Sequence, residues 1–354
     1  MDRFGAVDEH FGSGPDEASL SLPWSPFRAP EPRTYCPVED RRELCGRVGP
    51  VTSARHRRRV VAVGVIALLS ASGPTLAGGA VGTAAGAARQ RPLAASAPCG
   101  TRVARPRYAH VIWIVMENYG YASVVGSKAP YLNVLIRGCG LATNYHAVAH
   151  PSLPNYLALT SGTTDGIADD AEPSAHHVTT PNLFAQLHGD WRSLEQSMPI
   201  ACDKVTSGSY AARHDPAVYY SDLAQTCKED DVPLREPLEL SAAFTFITPN
   251  ICDDMHDCSV STGDAWLARF VPQILDSPEY LAHEAVLFIT WDESDTGPAN
   301  QVATLVIAPS VPRGLRVDGA FTHYSLLRTT EQLLGLSYLG AAKIAPSMLR
   351  PFRL

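Results

Sequence analysis

No glycine-rich loop of the Walker or dinucleotide type occurs in the 354 residues, which removes the usual cradle for a nucleotide phosphate. Gly-x-Ser-x-Gly is also absent, so a Ser-His-Asp hydrolase built on a strained nucleophile elbow is excluded. There is no Cys-x-x-Cys pair, which argues against a thiolate zinc site. Positive charge is scarce. The 29 Lys and Arg stand against 36 Asp and Glu, a formal net charge of −7, so general nucleic-acid binding is not expected. Internal repeats are missing too. What remains is an ordinary globular composition, long enough for one large domain or two small ones.

The first part of the chain differs from the rest. Residues 1–54, rich in Pro, Arg, Glu and Ser without sustained periodicity, are expected to be a disordered extension. Residues 55–97 open with the basic run Arg55-His56-Arg57-Arg58-Arg59, continue with the apolar Val60 to Leu69, and leave through alanine-rich sequence. That order is a secretory signal peptide followed by a linker, and its apolar core falls short of the ~20 residues of a membrane span. A signal belongs at an N-terminus, so translation is expected to begin near Val48 or Val51, from a GTG codon. A signal-anchor with a short cytoplasmic tail is the alternative. Either way the product is secreted or associated with the cell envelope. Six cysteines follow the signal, an even number suited to disulfides. Cys252 and Cys258 can close a short loop; Cys202 with Cys227 and Cys99 with Cys139 are the simplest remaining pairs of fifteen connectivities.

Residues 98–354 read as one α/β domain. Tyr108–Met116, Ala242–Ile247, Ala285–Thr290 and Ala303–Ala308 are apolar, β-branched runs suited to buried strands, and 141–148 is a shorter one. Helical spacing appears over 130–139, 181–189, 264–275 and 323–334. The segment 210–236, rich in Pro, Asp and Tyr, reads as a long loop or cap. The expected fold is a mostly parallel central sheet flanked by helices.

Three of those strands deliver polar residues just past their C-terminal ends: Glu117-Asn118, Asn250 with Asp254-Met255-His256-Asp257, and Asp292-Glu293. In open α/β sheets ligands bind at that edge. A fourth cluster is His150-Pro151-Ser152-Leu153-Pro154-Asn155-Tyr156, where a strand hands over to a helix that stops at Gly162. Ser152 then sits at a helix N-terminus, where unpaired N–H groups favour an anion such as phosphate. The plain alternative is an N-cap. A serine hydroxyl needs a base or a metal to become a nucleophile. Glu117, Asn118, Asp292 and Glu293 offer hard oxygen ligands for a divalent cation: Ca, Mg, Mn or Zn. His150, His256 and His323 lie beside the same loops and are candidate catalytic acids or phosphate ligands. His323 is the weaker acid, since the dipole at a helix start disfavours its charged form.

Taken in order, Met116-Glu117-Asn118, His150-Pro151-Ser152-x-Pro154-Asn155-Tyr156, Thr248-Pro249-Asn250 with Asp254-x-His256-Asp257, Thr290-Trp291-Asp292-Glu293 and His323-Tyr324-Ser325 form a specific set. The chain resembles the secreted phosphoesterase family of bacterial phospholipases C and acid phosphatases, itself similar to the alkaline phosphatase superfamily. The resemblance implies an alkaline-phosphatase-like fold and a nucleophile at Ser152. It implies metal ligation by Glu117, Asn118 and Asp292, and second-site or phosphate-contacting roles for His256, Asp257 and His323; Asp254 and Asp257 are further candidate metal ligands. Asn118, Asn155 and His214, the last in Arg213-His214-Asp215-Pro216 where the family usually has Lys-His-Asn-Pro, are candidate substrate contacts. Tyr119-Gly120-Tyr121 replaces the Arg-Ser-Phe-Asp of the phospholipase C branch, and the long C-terminal extension of that branch is missing. Both point to the compact acid-phosphatase-like branch. Sulfatase relatives require Arg where Tyr156 stands. The expected substrate is a small phosphate ester or a phospholipid headgroup, with no nucleic acid and no stable protein partner. A phospholipase C-type diesterase and a non-catalytic metal- or phosphate-binding protein are the alternatives.

Overall fold

In the computed structural model the described residues are 97–354, except 102, 104–105, 127–128 and 296–298, and they belong to one compact unit. The extension expected over 1–54 and the signal and linker expected over 55–97 lie outside them, apart from Ala97.

A nine-stranded sheet runs through this unit: β1 (His110–Met116), β2 (Gly140–His146), β3 (Trp191–Glu195), β4 (Asp231–Pro233), β5 (Phe244–Thr248), β6 (Ala285–Trp291), β7 (Gln301–Ile307), β8 (Arg316–Val317) and β9 (Phe321–Thr322). The order is β4-β3-β5-β1-β6-β7-β2-β8, with β9 beside β2. Only β7 runs antiparallel to its neighbours; the other pairings are parallel. The mostly parallel α/β sheet expected from the apolar runs is therefore what the chain forms. Residues of β5 and β6 are all buried, and β1 and β7 are buried after their first residue, as strands covered on both faces require.

Four longer helices flank the sheet: α1 (Pro130–Gly138), α2 (Ser152–Ser161), α3 (Val260–Leu275) and α4 (His323–Leu334). All ten residues of α2 are buried, and the helix ends at Gly162 in the left-handed conformation with φ 76°. Asp264 of α3 accepts from the backbone N–H groups of Tyr131 (3.0 Å) and Leu132 (2.8 Å), capping α1 from a neighbouring helix. The helix expected over 181–189 shrinks to the single turn Leu183–Gln186, capped by Asn182. His188 and Gly189 adopt positive φ there and turn the chain into β3. The expected loop over 210–236 is more ordered than its composition suggests. It holds three 3₁₀ turns, one helical turn and β4, with Tyr210, Tyr219 and Tyr220 buried. The disulfides are Cys99–Cys139, Cys202–Cys227 and Cys252–Cys258, the expected simplest pairs.

Candidate active site

β1, β5 and β6 are adjacent and parallel, so the residues following them converge at one edge of the sheet. Glu117 follows β1 directly and is fully buried; its N–H donates to the Asp254 carbonyl (2.9 Å). Asp292 follows β6, and its N–H donates to Met116 O (2.9 Å). The backbone N–H of Asn118, a residue at φ 46°, donates in turn to Asp292 Oδ1 (3.3 Å). Strand pairing thus carries the two carboxylates into register.

Ser152 is the first residue of α2, and Pro151 precedes it as the cap residue. Its side chain caps nothing. Instead Oγ donates to Glu117 Oε2 (3.1 Å), and the nearby hydroxyl also lowers the Asp292 and Glu293 carboxyls against the effect of their burial. One turn on, at the i+4 spacing that shares a helix face, the Tyr156 hydroxyl donates to Glu117 Oε1. The Tyr156 ring stacks on His214 at 5.4 Å between centroids.

His214 is buried between two acids: Nε2 is 3.4 Å from Glu117 Oε1 and Nδ1 is 3.4 Å from Asp254 Oδ2, and neither nitrogen makes a hydrogen bond. Asp254 Oδ1 accepts from the His256 N–H (2.7 Å). His256 Nδ1 contacts Asp257 Oδ1 (2.7 Å), and its Nε2 lies 3.2 Å from Arg213 Nη2. With its amide nitrogen turned to the carboxylates, Asn118 donates to Glu293 Oε1 (3.1 Å) and Glu117 Oε2 (3.3 Å). The half-exposed His150 pairs with Glu293 at the mouth.

Burial dominates the electrostatics. It pushes Glu117 and Asp254 well above the ordinary carboxylate range, with Asp292 and Asp254 adding like-charge repulsion on Glu117. Burial, then the Glu293 charge, raises Asp292 to about 8; burial, then Asp170, raises Glu293 to about 7. Burial and the charges of Arg213 and His256 push His214 well below the usual histidine value. Such a cluster of acids calls for a cation. Asp254 Oδ2, Asp292 Oδ2 and both His214 nitrogens are buried without partners, and ligand atoms of Glu117, His214 and His256 lie within 4.8 Å of one another. This mixed oxygen and nitrogen set fits a divalent metal ion.

Most of the residues singled out in the sequence meet here: Glu117, Asn118, Ser152, His150, His214, Asp254, His256, Asp257, Asp292 and Glu293. Two stand behind the site. Asn155 Oδ1 accepts from the N–H groups of Val148 and Ala149, and its amide donates to Ala149 O and Pro151 O, so it holds the loop before Ser152. His323 Nε2 donates to the Asp292 carbonyl (2.6 Å), and its Nδ1 accepts from the Tyr145 hydroxyl (3.1 Å). It is neutral, lowered to about 4, but burial is the main cause rather than its place at a helix start. Tyr156, Arg213 and Asp170 drew no role from the sequence. Tyr156 was accessible through its i+4 spacing from Ser152. Asp170, which accepts from the Leu153 N–H (2.9 Å) and sits 3.9 Å from Arg213, lies in a polar loop with no local signal.

Residues 114–337 match the Phosphoesterase family. A phosphatidylinositol-3-phosphatase of Mycobacterium tuberculosis is 34% identical over 268 residues, 74% of this chain and 86% of the relative. A phosphate-repressible acid phosphatase of Penicillium chrysogenum is 28% identical over 233 residues, and the match spans 59% of this chain and 55% of the fungal protein. An acid phosphatase of Aspergillus fumigatus, 26% identical over 225 residues, is likewise matched over only 49% of its length. Among solved structures, a protein of the alkaline phosphatase superfamily from Vibrio parahaemolyticus superposes with a TM-score of 0.46 over 70% of this chain and 72% of its own, at 10% identity. The matched family segment runs from within β1 through α4 and so contains each of the converging groups: the chain belongs to the phosphoesterase family and is a hydrolase of phosphoric esters.

Proposed function

We propose that this protein is a secreted, metal-assisted phosphomonoesterase that works through a phosphoserine at Ser152. The observation that carries the reading is the Ser152 hydroxyl. It is buried at the head of α2, donates to Glu117 and is encircled by acids that a cation would neutralise. Glu117, Asp254, Asp292 and His214 would hold the ion, with Asn118, Glu293, His256 and Asp257 around them. A divalent cation there would offset charge on the phosphoryl oxygens and lower the proton affinity of the serine.

The chain's own groups do the rest. Glu117 and Tyr156 fix the position of Ser152 Oγ; as Oγ attacks phosphorus and the bond to the departing ester oxygen breaks, Glu117 Oε2, which accepts the hydroxyl's hydrogen bond, takes its proton. His256, oriented by Asp257 and open to the cleft, gives the leaving oxygen its proton. Water then cleaves the phosphoserine and releases phosphate. Arg213 contributes positive charge at the mouth, His150 closes on Glu293, and His323 positions Asp292 through its carbonyl. Three disulfides support an extracytoplasmic site of action.

Hydrolysis of nitrophenyl phosphate against nitrophenyl phosphocholine, with metal analysis of the purified protein, tests this reading. Monoester hydrolysis should dominate. Ser152→Ala should lose at least 10³-fold in rate, since ~1.4 kcal/mol is a factor of ten, while keeping the fold. A variant retaining a tenth of the activity would take Ser152 out of the mechanism, and preference for the diester would make the protein a phospholipase C-type enzyme.

A further inference from the structure

A second group of acids lies outside the cleft. Glu195 ends β3, Asp231 opens β4, and Asp215 sits between the 3₁₀ turns Ala212–His214 and Pro216–Tyr219. All three are buried, with 1%, 0% and 0% of their surface exposed, and carboxylate oxygens of the three lie within 4.8 Å of one another. Among the described residues no Lys, Arg or His is in ion-pair contact with any of them; Arg192 pairs with Asp230 and Arg213 with Asp170. Three buried carboxylates without a cation would be costly, several kcal/mol for each ionised group.

Hydrogen bonds satisfy only part of the cluster. Glu195 Oε1 accepts from Ser193 Oγ (2.7 Å) and Thr248 Oγ1 (3.2 Å). Asp215 Oδ2 accepts from the Tyr210 hydroxyl (2.8 Å), and its Oδ1 from the Ala217 N–H (3.2 Å). Asp231 is the exception. Its Oδ1 is buried with no partner, and the Oδ2 neighbour, Cys227 Sγ at 3.7 Å, is a disulfide sulfur without a proton to give. The Asp215 and Asp231 side chains also lie in hydrogen-bond reach of each other. Two facing carboxyl groups need either a shared proton or a cation between them, and a shared proton would still leave Asp231 Oδ1 without a partner.

We propose that Glu195, Asp215 and Asp231 hold a second, structural divalent cation of the calcium type, separate from the cluster at Ser152. The donors are carboxylate oxygens ringed by hydroxyls, which selects a hard ion, and the thiols nearby are consumed in a disulfide. Oxygens on opposite sides of calcium stand about 5 Å apart, given Ca–O distances of ~2.3–2.6 Å, so the spacing suits it. Complete burial disfavours magnesium, which usually keeps several of its waters. The ion would fasten β3 and β4 to the segment that presents His214. Asp215 follows His214 in sequence, and Thr248 Oγ1 lies between Glu195 Oε1 and the His214 carbonyl oxygen, 3.2 Å from each. This site does not depend on the phosphatase reading.

Calcium content after removal of loose metal, and melting temperature against added calcium chloride, should be measured on the full chain, on Asp231→Asn and on Asp292→Asn. Asp231→Asn should carry one equivalent less than wild type. At ~100-fold excess over Kd, calcium should raise the wild-type melting temperature by roughly 5–10 °C. That rise should persist in Asp292→Asn, whose change lies in the other cluster, and vanish in Asp231→Asn. Should Asp231→Asn fail to fold, Glu195→Gln replaces it, and a calcium equivalent retained by Asp292→Asn with its thermal shift supports the site. Equal calcium content and equal shifts in wild type and Asp231→Asn would overturn the proposal. So would a wild-type protein that takes up no calcium, because the acids would then share protons instead.

Discussion

Glu331 shows how one buried carboxylate couples stability to pH. Oε1 accepts from the Leu339 N–H (2.7 Å), whereas Oε2 is buried with no partner. Burial raises this carboxyl to about 7, well above its ordinary value. A raised folded-state value means that the protonated form is preferred in the fold. The stability it contributes is full below pH ~4.5, falls as pH climbs through 7, and is lost above. Glu331→Gln keeps the accepting oxygen and removes the ionisation. The melting temperature of the variant relative to wild type should therefore increase between pH 5 and pH 8. Parallel pH profiles for the two proteins would show that Glu331 ionises freely in the fold. At this scale the sequence spoke clearly where chemistry lies beside a strand end, as with Glu117 and Asp292. It was silent where a residue acts by direction alone. Nothing local says that Asn155 turns to its own loop, or that both His323 nitrogens are taken by Tyr145 and the Asp292 carbonyl.

The C-terminus of α2 meets the segment after α4 at two glycines. Gly162 has φ 76°, and a Cβ there would lie 2.7 Å from Leu339 O. Gly340, at φ 38°, would place a Cβ 2.3 Å from Gly162 O, the same carbonyl that accepts from the Ala341 N–H (2.8 Å). Gly162→Ala combines an unfavourable φ with contact against unyielding backbone, so it should cost roughly 1–3 kcal/mol and lower the melting temperature by several degrees. Chemical denaturation of the variant checks this, and an unchanged midpoint would mean that the segment at 339–340 shifts without cost. Among elements, β1, β5, β6 and β7 were legible because strands buried on both faces leave continuous apolar runs. β3 was not: Trp191-Arg192-Ser193-Leu194-Glu195 mixes charge with apolar residues, because Arg192 reaches Asp230 and Glu195 joins the inner acid cluster. Strand direction at β7, and the two-residue β8 and β9, depend on partners distant in sequence. The helix expected over 181–189 failed because His188 and Gly189 turn the chain where apolar spacing alone would continue it.

At the scale of the molecule, three covalent links staple the described domain, two of them across segments that carry the site. Cys252–Cys258 closes the loop bearing Asp254, His256 and Asp257; Cys202–Cys227 braces the segment around Arg213 and His214; Cys99–Cys139 ties the strand-leading segment to the residue after α1. A native disulfide is worth about 2–4 kcal/mol, so reduction should lower the melting temperature strongly. Activity should fall before global unfolding as the Cys252–Cys258 loop loosens. Thermal and activity curves in a phosphine reductant test this; coincident loss of both would mean that the loop is held by its other contacts.

The placement of β1 between β5 and β6 also has a temporal side. His110 meets Ala285, and Met116 takes the N–H of Asp292, so a strand made early waits for partners made very late. During synthesis β1 can meet β5 once residue 248 is made, but its other flank waits for residues 285–291, and a chain ending before Asp292 lacks one of the converging carboxylates. Contacts between residues so distant in sequence place the closing of this sheet on the slow side of folding, on the order of milliseconds to seconds.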